Sequence, residues 1–109
     1  MTAGDGVQSV LCIYRVKPGQ DHAFLRLLAV HWPTLRRAGL VTEAPAEVER
    51  ATLRDGKTAF VERFRWAGAD ASQRAHQLPE VRAVWEPMGA LCEGMEFLAV
   101  EPVEPSHEA

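Results

Sequence analysis

The sequence predicts an α+β fold in which strand, helix, strand, strand, helix and strand follow one another around an antiparallel sheet. Three observations carry this. Residues 7–16 and 58–66 are rich in branched and aromatic side chains at the two-residue period of strands. Between them, Phe24, Leu27, Leu28, His31 and Leu35 recur at the three- and four-residue steps of a helix. Asp55-Gly56 is a tight-turn signal that joins two strands as a hairpin. The order is the split βαβ arrangement of a ferredoxin-like sandwich, with two helices on one face of the sheet.

In the first strand, Val10, Cys12 and Tyr14 share one face and Leu11, Ile13 and Arg15 the other, so both sides are largely apolar. Lys17-Pro18-Gly19 stops it, and the first helix spans about 20–38. Pro33 inside that helix removes a backbone bond and predicts a kink or break near His31-Trp32, while Gly39 suits the C-terminal cap. Residues 46–53 read as a polar edge strand. Asp70 is placed to cap a short helix over 71–77, Pro79 opens a second one, and Gly94 ends it before a last strand over 95–103.

A chain of 109 residues has room for one core, so a single domain spanning 1–109 is expected, with a core at about 7–102 and loose ends at 1–6 and 104–109. With 47% hydrophobic and 25% charged residues it reads as globular rather than disordered. The net charge of −3 and scattered arginines leave no footprint for nucleic acid. No apolar run reaches the ~20 residues of a membrane span and no signal peptide is evident, so the expected location is the cytoplasm. Cys12 and Cys92 lack metal-ligand spacing and read as buried thiols; no metal or cofactor is expected. The first and third strands should be central, yet two helices cover only one of their apolar faces. A second copy of the chain is the simplest cover for the other.

Val16-Lys17-Pro18-Gly19 followed by Phe24 and Leu27-Leu28, then Phe64-Arg65-Trp66, Ala75-His76 and Pro79-Glu80-Val81, resembles the antibiotic-biosynthesis-monooxygenase-like branch of the dimeric α+β barrel superfamily. The resemblance covers about residues 7–102 and rests on punctuation and packing positions, which speak to fold more than to chemistry. It implies a homodimer whose sheets face each other, with a ligand pocket in each subunit between helices and sheet. It also implies a choice of chemistries. Haem-degrading members carry a histidine where this chain has Trp85, which makes haem binding a minority reading. Cofactor-independent, quinone-forming members need only a base and a shaped apolar pocket for a small aromatic or polyketide-like molecule.

Glu62 is the residue that asks for an explanation. It lies among Phe60, Phe64 and Trp66 on one face of its strand, where an unpaired carboxylate would cost several kcal/mol. Two partners are open to it. A glycine bulge at Gly56 would put Val48 and Arg50 on its face, and pairing with Arg50 would make it architecture. Pairing with His31 across a cavity would make it a general acid–base site, the carboxylate orienting the ring and setting its tautomer. The candidate catalytic residues are therefore Glu62 and His31, with Trp66, Trp85, Phe64 and Arg50 around the pocket. His76 reads as a helix-surface residue. The alternative is a non-enzymatic dimer that binds a small apolar ligand or serves as a structural module.

Overall fold

The computed structural model describes residues 6–106. Its elements are β1 (Gln8–Val16), α1 (Asp21–Arg37), β2 (Glu47–Thr52), β3 (Thr58–Trp66), α2 (Ala71–Ala75), α3 (Pro79–Ala90) and β4 (Cys92–Val100). The strands form one antiparallel sheet in the order β2-β3-β1-β4, so the first and third strands are central. This is the ferredoxin-like α+β arrangement that the order of elements predicts. The parts of the predicted loose ends at 1–5 and 107–109 lie outside the described residues.

The core lies between the helices and one face of the sheet. β1 contributes Val10, Cys12 and Tyr14, and β3 contributes Phe60, Phe64 and Trp66, with Phe24, Leu28 and Leu35 of α1 and Val81 and Met88 of α3 packed over them. Register brings Cys12 opposite Glu62 and Tyr14 opposite Phe60. Glu62 is thus on the helix-covered face and completely buried.

Two local devices fix α1 and β3. The helix ends in a Schellman motif: Leu40 N–H bonds to the Leu35 carbonyl and Gly39 N–H to that of Arg36, each at 3.0 Å, with Gly39 at φ +76°. Leu40 and Val41 then turn back into the core, and Val41 bridges to Trp66, tying the end of α1 to the end of β3. At the hairpin, Gly56 N–H bonds to the Leu53 carbonyl at 2.9 Å and Leu53 N–H to that of Lys57 at 2.7 Å, with Gly56 at φ +86°. That is a three-residue loop closed by a glycine bulge.

Several expectations need correction. α1 is not broken at Pro33; it runs unbroken to Arg37, with Pro33 and Ala29 both exposed, so the carbonyl freed by the missing N–H lies on the solvent side. Asp70 precedes α2, yet its side chain makes no capping bond. Gly94 is not a stop. β4 begins at Cys92, and Gly94 pairs with Arg15 beside a register shift, a position where the lack of a side chain eases the irregularity.

The sheet face turned away from the helices carries Leu11, Ile13, Val61, Leu98 and Val100 in neighbouring register positions. None of these five is buried, and Leu98 is 45% exposed.

Candidate functional site

Glu62 sits at the centre of a chain of four polar side chains from four elements. Tyr14 of β1 donates its hydroxyl to Glu62 Oε1 at 2.7 Å. His31 of α1 places Nδ1 3.0 Å from Oε1 and 3.1 Å from Oε2. Trp85 of α3 donates its indole N–H to His31 Nε2 at 2.8 Å. An indole is a donor only, so Nε2 offers its lone pair and the ring proton is on Nδ1, from which it is donated to Glu62. Every donor in the chain therefore points toward the carboxylate.

Each link is prepared locally. His31 lies on the buried stripe of α1 that contains Phe24, Leu28 and Leu35. Tyr14 and Glu62 are diagonal neighbours on adjacent strands, a separation that a long side chain can span. Phe64 stands edge-on to His31, with ring centroids 5.8 Å apart, and Trp66 stands edge-on to Phe64 at 5.0 Å. Phe64 limits how the imidazole can turn. Hydrogen bonds to an ionised acceptor are the stronger kind, and the ones on Glu62 are what offset its loss of water.

Beside this chain a cavity of about 640 Å³ opens between the helices and the sheet. That is the size range of small-molecule sites. Its walls are mostly apolar and include Phe64, Trp66, Trp85, Met88, Met95 and Phe97. Tyr14 and His31 reach it, whereas Glu62 lies behind them and does not. No arginine, lysine, aspartate or glutamate among the described residues lines it. Among the described residues, no three His, Cys, Asp or Glu side chains gather to hold a metal ion.

Of the residues singled out from sequence, the structure brings together Glu62, His31, Phe64, Trp66 and Trp85 but not Arg50. The predicted bulge does put Arg50 on the face of Glu62. In that register, however, Val48 is opposite Glu62, and Arg50 is opposite Phe60 with its guanidinium 5.1 Å from the ring centroid. Arg50 neither bonds to Glu62 nor lines the cavity. His76, read as a surface residue, is exposed but stands at the cavity with its ring 4.8 Å from that of Trp85. His31 has both ring nitrogens hydrogen-bonded, and the His76 ring packs on that of Trp85.

Sequence reasoning passed over Tyr14. The available signal was that the chain's one tyrosine sits on the inward face of a central strand, where a hydroxyl needs a partner. Burial, then the charge of Glu62, push the Tyr14 hydroxyl far above the usual tyrosine range, so it is a fixed donor rather than a base. The neighbouring Cys12 thiol is pushed up to about 12, first by burial and also by Glu62, with the Tyr14 hydroxyl opposing. It is a neutral thiol at physiological pH.

These shifts set an expectation for alkaline stability. The folded-state values lie above the unfolded ones, so the contribution is complete below the unfolded pKa and is lost as pH rises toward the folded one. For Cys12 the window is from 9.0 to about 12, and Tyr14 adds its loss from 10.0 upward. Each group removes ~1.4 kcal/mol per pH unit within its window. Melting temperatures measured from pH 8 to 11 should fall above pH 9, and Cys12→Ala should make the decline shallower.

The sequence matches no protein-family model and no curated protein. The fold, by contrast, recurs in solved structures. SnoaB, a cofactor-independent oxygenase from Streptomyces nogalater, superposes with a TM-score of 0.69 at 17% identity, over 94% of this chain and 99% of that one. A Chloroflexus aurantiacus protein provisionally named an antibiotic biosynthesis monooxygenase gives 0.65 at 17% identity, over 93% and 97%. The hydroxynitrile lyase of Passiflora edulis gives 0.68 at 10% identity, over 92% and 98%. The chain has the fold of antibiotic-biosynthesis-monooxygenase-like structures, and that fold also houses a lyase.

Proposed function

We propose that this chain is a cofactor-independent, monooxygenase-like enzyme that acts on a small aromatic molecule by removing a proton from it. The observation that carries the reading is the route from Glu62 through His31 to an apolar cavity. With Nδ1–H committed to Glu62, the atom that can receive a proton is Nε2. A proton arriving there completes an imidazolium–carboxylate pair and balances a buried negative charge that has only hydrogen bonds around it. That makes His31 the base and Glu62, with Tyr14, the group that holds it.

The chemistry follows from a phenolic ligand seated among Phe64, Trp66 and Trp85. Loss of the hydroxyl proton to His31 leaves an electron-rich ring, a ring carbon forms a bond to dioxygen, and the proton returns to give a hydroperoxide. Loss of water then yields the quinone, so one oxygen atom stays in the product and the other leaves as water. The ligand supplies the electrons itself. The oxygenase SnoaB supports this reading through its shared fold, and the apolar walls suit such a ring.

The test is oxygen uptake by protein freed of metal and flavin, with dihydroxynaphthalene as the probe. Uptake matched by quinone formation is expected, and His31→Gln should slow it by about a hundredfold to ten-thousandfold. Saturable binding without uptake would favour the alternative, a small-ligand-binding module. We further propose that the chain works as a homodimer through its open sheet face, in the cytoplasm, where its two free cysteines would stay reduced.

A further inference from the structure

We infer that Trp85 is a detachable cap on the base: it occupies the proton-accepting nitrogen of His31 until a neutral, hydrogen-donating ligand takes its place. Nδ1 is already engaged with Glu62, so Nε2 carries the ring's one free lone pair. Trp85 fills it at 2.8 Å. The imidazole is buried, 3% exposed, whereas Trp85 is only partly buried and itself lines the cavity, so the indole has space to leave that the imidazole lacks. His76 packs against the indole ring at 4.8 Å, on exposed α2-to-α3 chain rather than in the core, and so steadies the cap without locking it.

The identity of the cap selects the ligand. Whatever replaces an N–H donor at Nε2 must also present a donor, since an ether or carbonyl oxygen there would set lone pair against lone pair. A ligand that is already an anion fares worse. It would bring a second negative charge toward Glu62 in a cavity where no arginine or lysine among the described residues lines the wall to offset it. The class that fits is a neutral weak acid such as a phenol, and Trp85 is a positioning residue that keeps Nε2 aligned and dry beforehand. The consequence for turnover rests on the function proposed above; the masking of Nε2 does not.

Diethyl pyrocarbonate, which needs an imidazole lone pair, reads the cap directly. In the unmodified chain His31 should be acylated slowly, and Trp85→Phe should raise its rate by about tenfold, the scale of one lost hydrogen bond. Trp66→Phe, on the same cavity but without a hydrogen bond to His31, should leave the rate unchanged. Equal acceleration by both variants would mean general loosening and overturn the cap, as would no acceleration in Trp85→Phe. In the unmodified chain, naphthol should move the Trp85 indole N–H signal in ¹⁵N-resolved spectra and its methyl ether should not. Equal effects from both, or none from either, would overturn the ligand rule. A chain that is unmasked by Trp85→Phe yet consumes no oxygen would keep the cap and lose the oxygenase reading.

Discussion

Replacing Glu62 with Gln is expected to lower turnover by about a hundredfold to ten-thousandfold, the range that general acid–base groups contribute, at a cost of about 1–3 kcal/mol in stability. The shape of the side chain is kept, but its charge is lost and one acceptor oxygen becomes a donor. Tyr14 and His31 Nδ1 both reach Oε1, and Nδ1 also reaches Oε2 at 3.1 Å. If the amide oxygen takes the Oε1 position, its NH₂ group faces the Nδ1–H. If the His31 ring shifts its proton to relieve that, Nε2–H meets the indole N–H of Trp85. Either arrangement sets donor against donor somewhere along the chain.

Glu62→Leu separates architecture from chemistry. It removes the charge, but it strands the Tyr14 and His31 donors in the core at about 1–3 kcal/mol each. For a domain of this size each kcal/mol is worth roughly 4–8 °C in melting temperature. Glu62→Gln should therefore melt between the parent and Glu62→Leu while losing most of the turnover. A Gln variant that melts lower yet keeps full ligand binding and turnover would make Glu62 a structural anchor and remove it from the site.

Much of this site is legible in the sequence because each element carries its own periodicity. Glu62 stood out since the two-residue step placed it among Phe60, Phe64 and Trp66. His31 stood out since it interrupts an apolar helical stripe. What periodicity does not encode is the offset between elements. The sequence puts Arg50 on the right face, but the register sets it two residues along from Glu62, where it finds the Phe60 ring instead. Trp85 reads as a wall because a helical tryptophan signals its ring, whereas its part in the relay depends on one N–H aimed at an atom of another helix. The start of β4 is hidden in the sequence for a different reason. Gly94 looks like punctuation, but a glycine beside a register shift serves the strand that contains it.

Placing arginine at both Leu11 and Leu98 should convert the proposed dimer to a monomer. The two residues are direct cross-strand partners on the sheet face that no helix covers, with Ile13, Val61 and Val100 alongside. Arg15, Arg63 and Arg65 lie on that same face together with Glu47, Glu49 and Glu96, so its polar residues are balanced in charge before the substitutions add two positive ones. Two sheets meeting there would bury on the order of 1,600 Å², and the four introduced guanidinium groups would each be stripped of water at a cost of several kcal/mol. Dissociation tighter than micromolar should weaken by at least about a thousandfold. Light scattering at micromolar concentration would read two copies of the 12.1 kDa chain for the parent and one for the variant. A parent that is already monomeric, or a double variant that stays paired, would remove this face from the assembly. The same measurement bears on the cavity, because β1 and β3 carry Leu11 and Val61 on the open face and Tyr14 and Glu62 on the other. A partner that holds the open face flat would also hold the strand backbones behind Tyr14 and Glu62, so the monomeric variant should lose ligand affinity although no cavity residue has been changed.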